Sequence, residues 1–390
     1  MLYVYTLFDR SRDSHPLITG TYDADTKSLK FFTFYLPHSG KSIYDIEKSV
    51  QELNVLVTQA KNVVLNDYKQ HIIAFGLEHD NRVFDVDLPD IPVEENTKAY
   101  RKAITVVIKE MCKTRPKYWQ VVRSDASVTY ADLQRRGVLY GYELQYPIWG
   151  RTYSGRSKTT NFNVQGLGQE HLMNVNNDKI YLNFDWVAAD MRAVAIMSGD
   201  KKLNAAFVDS DPYQVLIDHF NSGVEVDKLN RGEGKRLMFK SVYSFDSDNP
   251  ALDFYGGFKA WISECRARLR RDGYLKSILG RKFSIAKDRT EKSVFNATVQ
   301  GSVAHAMQVC LRRVWDLFPD NILTENHDSL AITCSKDDAK AKIIEVSRIM
   351  VQPFKGILKS NPQFPVKVSI GSGYKKWNNY RRYNCYEQIR

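Results

Sequence analysis

Short runs rich in β-branched, aromatic and other apolar residues open the chain, at residues 2–8, 17–22, 29–35 and 82–88, and predict β-strands. Residues 46–61 between them read as helical. Together these elements predict a small α/β module over residues 1–95, closing at the run Leu88-Pro89-Asp90-Ile91-Pro92. Helical patterning returns over 94–113, and residues 130–144 contain a second, polar, arginine-rich helix candidate, so a helical arm is expected there. From Tyr153 onward, strand-like runs at 179–184, 330–334 and 366–370 are separated by longer helical stretches, the pattern of an α+β body. Neither an internal repeat nor a low-complexity tract interrupts this order.

Composition narrows the partner. With 390 residues, 43% of them hydrophobic, the chain can bury a sizeable core and form two or three domains. Its 56 Lys and Arg against 45 Asp and Glu leave a formal charge of +11, an excess that favours a polyanion, either nucleic acid or an anionic membrane surface. The membrane option weakens because no stretch of about twenty apolar residues occurs and Met1 to Asp13 shows no basic region followed by an apolar one. The cysteines Cys112, Cys265, Cys310, Cys334 and Cys385 are far apart and never form CxxC, so neither a disulfide framework nor a structural zinc site is indicated. A reducing, cytoplasmic setting is the expectation.

Three constellations carry chemistry. Lys179-Ile180-Tyr181-Leu182-Asn183-Phe184-Asp185 is an apolar strand ending on an acid. Such an acid is ordinarily a solvated turn or a helix N-cap, but it is also rigidly aimed, as a metal ligand must be. Asp328, in Asn326-His327-Asp328-Ser329, stands at a polar turn entering an apolar strand, where the plain reading is a hairpin Asp bonded to its own turn. Two aspartates on adjacent strand ends could hold two divalent ions roughly 4 Å apart, the arrangement that activates an attacking oxygen and stabilises a leaving phosphate. Arg231, Lys235, Phe239 and Tyr243 recur every fourth residue. At about 100° per residue each step advances about 40°, so the row winds slowly around one side of a helix, cations first and aromatics after. Such a helix could clamp a triphosphate at one end and stack a base at the other; the plain alternative is an amphipathic surface helix.

Taken in order, these segments resemble the motifs of family A DNA polymerases, the bacterial DNA polymerase I and phage T7 type. Asp185 to Asp200 resembles DYSQIELRxLAxxSGD, keeping the first Asp, Arg192, Ala195 and Ser198-Gly199-Asp200. Arg231 to Tyr243 resembles RxxxKxxxFxxxYG, and His327-Asp328-Ser329 resembles HDE. Ser154-Gly155-Arg156 with Thr160 and Asn163-Val164-Gln165 resembles TGRLSSTxPNLQN, while Gly273-Tyr274 with Leu279-Gly280-Arg281-Lys282 resembles GYVxTLxGRRR. Asn296 to Ser302 resembles NxPIQGTAAD, and Ile370-Gly371-Ser372-Gly373 with Trp377 resembles the C-terminal GxxW ending.

The resemblance spans roughly residues 150–380 and implies a right-hand polymerase fold of palm, fingers and thumb. A small α/β RNase H-like module would precede it, a degenerate exonuclease-like segment over 1–95. Residues 96–150 would be a reduced thumb and 151–390 the palm and fingers, the fingers at about 200–285. It implies primer extension with dNTPs on primer-template DNA, with Asp185 and Asp328 as ligands of two Mg²⁺ ions (Mn²⁺ as substitute) and Lys235 as a further catalytic group. Arg231 and Lys235 would meet the triphosphate, Phe239 the sugar, Tyr243 the templating base and Asp190 the sugar's 2′ side. Arg156, Asn163, Gln165, Arg281, Asn296, Gln300 and His327 would contact DNA. A helicase, primase or separate processivity or proofreading factor would accompany it, no membrane is involved, and the compact size suggests a phage or mobile element.

Four departures are visible. Asp190 replaces the family's sugar-gating Glu and is one methylene shorter, which loosens sugar discrimination. Ser329 replaces the third acid, Ser244 stands where Gly follows the finger tyrosine, and Asp211-Pro212-Tyr213 stands where DxH is usual. The exonuclease acids are not found in order: Asp23-Ala24-Asp25 lies in a turn, and Asn66-Asp67 is a faint match. Proofreading is therefore not expected. Asp190 and Ser329 keep open an RNA-synthesising or primase-like enzyme, and the eroded first module a non-catalytic DNA-binding subunit.

Overall fold

The chain is described from a computed structural model covering all residues except 10–14, 35–42, 76–81, 87–96, 114–116, 137, 141–142, 167–178, 210, 223–227, 247, 287, 372–379 and 384–390. Tyr35, the proline-rich segment 88–92, Ser372, Gly373, Trp377 and Cys385 therefore lie outside the described residues. The chain divides into two compact units, Met1–Asp132 and Leu133–Arg390.

The first unit runs β1 (Leu2–Asp9), β2 (His15–Asp23), β3 (Ser28–Thr33), α1 (Ile43–Gln59), β4 (Asn62–Asn66), α2 (Tyr68–Phe75), β5 (Arg82–Val86), α3 (Thr97–Lys113) and most of α4 (Tyr118–Arg136). Its sheet has the order β3-β2-β1-β4-β5, antiparallel through β3, β2 and β1 and parallel through β1, β4 and β5. Alternation along β1 loads both faces. Leu2 and Val4 join Leu53, Val57, Tyr68 and Ile72 in one core, while Tyr3 and Tyr5 join Ile104, Ile108 and Met111 in another. Helix α3, expected in the arm, thus packs on the sheet of this unit.

Between residues 130 and 144 the expected helix occupies only the first part. Helix α4 starts earlier, at Tyr118, and ends at Arg136, and β6 (Val138–Tyr140) pairs with β7 (Glu143–Gln145) after it.

The second unit continues with the hairpin β8 (Ile148–Arg151) and β9 (Ser157–Thr160), then β10 (Lys179–Trp186), α5 (Ala189–Ser198), α6 (Lys201–Asp209), α7 (Pro212–Asn221), α8 (Arg231–Ser244), α9 (Pro250–Phe254) and α10 (Gly256–Asp272). The hairpin β11 (Tyr274–Lys276) and β12 (Lys282–Ser284) and the long α11 (Glu291–Leu317) lead to β13 (Ile322–Asn326), β14 (Ser329–Ser335), α12 (Ala339–Val351), β15 (Val366–Gly371) and β16 (Tyr380–Tyr383). Its main sheet has the order β13-β14-β10-β15-β16.

In that sheet the period of two separates packing from chemistry. Leu182, Phe184 and Trp186 of β10, with Leu330 and Ile332 of β14 and Val366 and Val368 of β15, are buried on one face. Helix α12 covers that face, pinned where the Trp186 indole Nε1 donates to the Met350 carbonyl at 2.9 Å. On the other face Asp185 stands between its register partners Ser329 and Lys367.

Candidate active site

Asp185 is the last residue but one of the central strand, so both neighbouring strands fasten its backbone. Asp328 occupies the two-residue turn between β13 and β14, and its carbonyl accepts from Trp186 N at 3.0 Å, tying the turn to the end of β10. The turn is held at some expense: His327 has φ 58°, a left-handed conformation that costs a non-glycine residue roughly 1 kcal/mol or more.

Helix α8 faces these acids. Asn230 and Glu233 form a reciprocal capping box at its start, with Glu233 N donating to Asn230 Oδ1 at 3.1 Å and Asn230 N to Glu233 Oε2 at 2.8 Å. Its close seat on α7 depends on Gly234, where a Cβ would lie 2.6 Å from Ile217 Cγ2 and 3.0 Å from the Tyr213 carbonyl. Arg231 donates to Asp211 Oδ2 at 2.7 Å and lies 5.2 Å over the Tyr213 ring. Lys235 lies 5.3 Å from the centre of the Phe239 ring, and Phe239 stacks on Tyr243 at 5.3 Å. The four-residue repeat thus forms one continuous row.

Asp190, at the start of α5, joins three parts of the unit. Arg156 Nη2 donates to both its oxygens, at 3.0 and 3.1 Å, and the Tyr243 hydroxyl donates to Oδ2. Arg156 follows Gly155, whose φ of 94° suits the turn into β9.

Asp185, Asp328, Asp190, Arg156 and the row from Arg231 to Tyr243 line one cleft of about 790 Å³, within the range of clefts that enclose small-molecule ligands. Burial, then the charge of Asp328, pushes the Asp185 carboxyl up to about 7, against the pull of Lys367 and Lys235. Burial, and after it Asp190, also raises Asp328. Burial and then Arg156 keep His327 below its ordinary value, hence neutral at pH 7. Two crowded carboxylates that resist ionisation, with hard oxygen donors, fit a divalent cation, which would relieve both charges at once. Among the described residues no three His, Cys, Asp or Glu converge on a metal-sized site. Mg²⁺ is commonly held by one or two carboxylates together with substrate phosphates, so the pair suffices. Buried polar atoms with no hydrogen-bond partner among the described residues also border the cleft: Arg156 Nε, the Tyr213 hydroxyl and His327 Nδ1.

No family model matches the chain. It is 24% identical over 221 residues to the thermostable DNA polymerase I of Thermus thermophilus, a match covering 48% of this chain and 26% of that protein. To DNA polymerase I of Mycobacterium bovis it is 23% identical over 262 residues, 58% of this chain and 27% of that protein. A solved structure, the POL domain of Pol1 from M. smegmatis in complex with DNA primer-template and dNTP, superposes with a TM-score of 0.67 at 12% identity, covering 96% of this chain and 95% of that one. Over about half of its length the chain is similar to bacterial DNA polymerase I. It spans about a quarter of the length of the curated relatives it matches, and its fold is that of the polymerase domain.

Of the residues expected from the family motifs, Asp185, Asp190, Arg231, Lys235, Phe239, Tyr243, Arg156, His327 and Asp328 meet in the cleft. The rest do not line it. Asn296 Nδ2 donates to the Tyr243 carbonyl at 3.2 Å, and Gln165 Oε1 accepts from Thr159 N and Oγ1 at 2.9 and 2.7 Å. Asn163 Oδ1 accepts from Gly166 N at 3.1 Å, Arg281 donates to the Tyr153 carbonyl at 3.1 Å, and Gln300 is half-buried on α11. Two other motif residues act as braces. Arg192 donates to Asn204 Oδ1 at 2.7 Å and to the Gln363 carbonyl, and Asp200 accepts from Leu203 N and Phe258 N at 2.8 and 3.0 Å.

Sequence reasoning did not place Asp211, Tyr213 or Lys367 in the site. For Lys367 the signal was the alternation Val366-Lys367-Val368, which marks a polar face without saying what it faces.

Proposed function

We propose that this chain extends a DNA primer with dNTPs under template direction, by two-metal-ion phosphoryl transfer and without proofreading. The observation that carries this reading is the cleft itself: two strand-end aspartates facing a helix that presents two cations and then two stacked aromatics. In the reaction the primer 3′-hydroxyl gives its proton to solvent as its oxygen bonds to the α-phosphorus, the bond to the α,β-bridging oxygen breaks, and pyrophosphate departs. Divalent cations held by Asp185 and Asp328 would supply Lewis-acid charge to the attacking and leaving oxygens. Lys235 and Arg231 bind and orient the triphosphate from α8, Arg231 exchanging Asp211 for phosphate oxygens. Phe239 packs on the sugar and Tyr243 stands beside the templating base, while Arg156 and Tyr243 aim the Asp190 carboxylate at the 2′ side. Arg156, Asn163, Gln165, Arg281, Asn296, Gln300 and His327 contact the primer-template, and residues 96–150 contribute the thumb.

The absence of proofreading rests on how the first unit uses its acids. Asp23 accepts from Asp25 N and the Thr26 hydroxyl, both at 2.9 Å, closing its own turn. Asp85 is buried against Arg123 at 3.3 Å.

The deciding experiment is extension of a labelled primer by the parent, Asp185→Ala and Asp328→Ala chains, with dNTPs and rNTPs in parallel. Each substitution is expected to lower extension by on the order of a hundredfold or more while leaving DNA binding nearly intact. Extension within tenfold of the parent would overturn the assignment, and preference for rNTPs would favour an RNA-synthesising enzyme.

A further inference from the structure

Lys367 is absorbed by none of the roles above, yet it lines the same cleft as Asp185, Asp328 and Lys235. Its place is set by β-pairing rather than by a loop. It lies directly across from Asp185 on β15, as Ser329 does on β14, so the three side chains share one face in the row Ser329, Asp185, Lys367. Directly opposed residues hold their Cβ atoms about 5 Å apart, and a four-carbon stem carries the ammonium beyond the carboxylate beside it. Ser329 contributes no charge on the other side. Two lysines on separate elements, α8 and β15, therefore act on the same aspartate, and the charge of each draws its carboxyl downward.

Once Asp185 holds a divalent cation, its charge is committed, and an ammonium alongside stands in a strongly positive spot. That arrangement is favourable when a polyanion occupies the cleft as well. Polymerisation brings one there, the triphosphate, and leaves another, pyrophosphate.

We infer that Lys367 binds the phosphates of the incoming nucleotide and of the departing pyrophosphate from the sheet side of the cleft, opposite Lys235 of the finger helix. The inference rests on the polymerase reading and adds a nucleotide-binding residue at a strand position. Lys367 takes no proton and forms no bond to the substrate. It neutralises phosphate oxygens as the bond to the α-phosphorus breaks.

The test uses the full chain on a primer-template whose primer ends in a dideoxynucleotide, titrated with the matched dNTP in the presence of Mg²⁺. A parallel measurement is inhibition of ordinary extension by inorganic pyrophosphate. Lys367→Ala is expected to weaken dNTP binding by about tenfold and to raise the half-inhibiting pyrophosphate concentration by a similar factor. Primer-template affinity should stay at the parent value, and Lys367→Arg should remain within about threefold of the parent in both titrations. If the alanine chain does not fold, Lys367→Met, which keeps the length of the stem, carries the same expectation. Parent-like nucleotide and pyrophosphate affinity in the neutral variants would overturn the inference, as would an equal loss of primer-template affinity or failure of arginine to substitute. A parent chain that neither binds the matched dNTP nor extends the primer would instead overturn the polymerase reading, so the two failures are distinct.

Discussion

At Asp190 one carboxylate is shared by an arginine from the β8–β9 turn and a tyrosine from α8. Both partners are donors, so the carboxylate is aimed rather than left to swing. The shorter side chain withdraws it from the cleft by one methylene relative to Glu. Asp190→Glu is therefore expected to raise the preference for dNTP over rNTP on the order of tenfold. Single-nucleotide incorporation with the two sugars in competition would measure it, and an unchanged ratio would remove Asp190 from sugar reading.

On the scale of elements, α8 is positioned by its seat on α7, and Gly234 sets the distance. Replacing Gly by Ala in a helix gains about 1 kcal/mol of propensity, but overpacking costs about 1–3 kcal/mol. Here one of the atoms met is the Tyr213 carbonyl, part of the backbone, which cannot swing aside. Overpacking should win, so Gly234→Ala is expected to lose about 1 kcal/mol of stability in denaturant melts and to weaken dNTP binding, because Arg231 and Lys235 move with the helix.

The element that closes the first unit's core behaves differently. His71 of α2 is fully buried: Nδ1 faces the Asp67 carbonyl at 3.1 Å and so donates, which leaves Nε2 to accept from the Thr6 hydroxyl at 2.8 Å. Burial lowers its pKa from 6.5 to about 4. Above pH 6.5 the imidazole is neutral folded or unfolded and costs nothing. Between pH 6.5 and about 4 only the unfolded chain takes up the proton, so stability falls with pH, by about 3 kcal/mol once both states are protonated. Denaturation midpoints followed from pH 7.5 to 4 should show that decline, and it should be smaller in His71→Gln.

For the molecule as a whole the relevant quantity is the formal charge of +11. If the partner is primer-template DNA, binding releases counterions, and raising salt from about 50 to about 200 mM should lower affinity by more than about tenfold. A salt-insensitive affinity, measured by fluorescence anisotropy, would count against DNA as the ligand.

Sequence alone carried whatever depends on local order along the chain. The strand ending in Asp185, the turn holding Asp328 and the repeat from Arg231 to Tyr243 were legible because each is a short, regular stretch with its own period or punctuation. Local order did not suffice where pairing overrode composition. Residues 130–144 contain the expected helix only up to Arg136 and then two paired strands, and β4 and α2 were not anticipated because both are short and buried. Tertiary structure decided everything that depends on which strand lies beside which. Only the order β13-β14-β10-β15-β16 sets Asp328 and Lys367 on either side of Asp185, and only the packing of α7 under α8 gives Arg231 its partner Asp211. The physical reason is that periodicity tells which face of an element is polar, whereas the charges that meet on that face come from residues far apart in the chain.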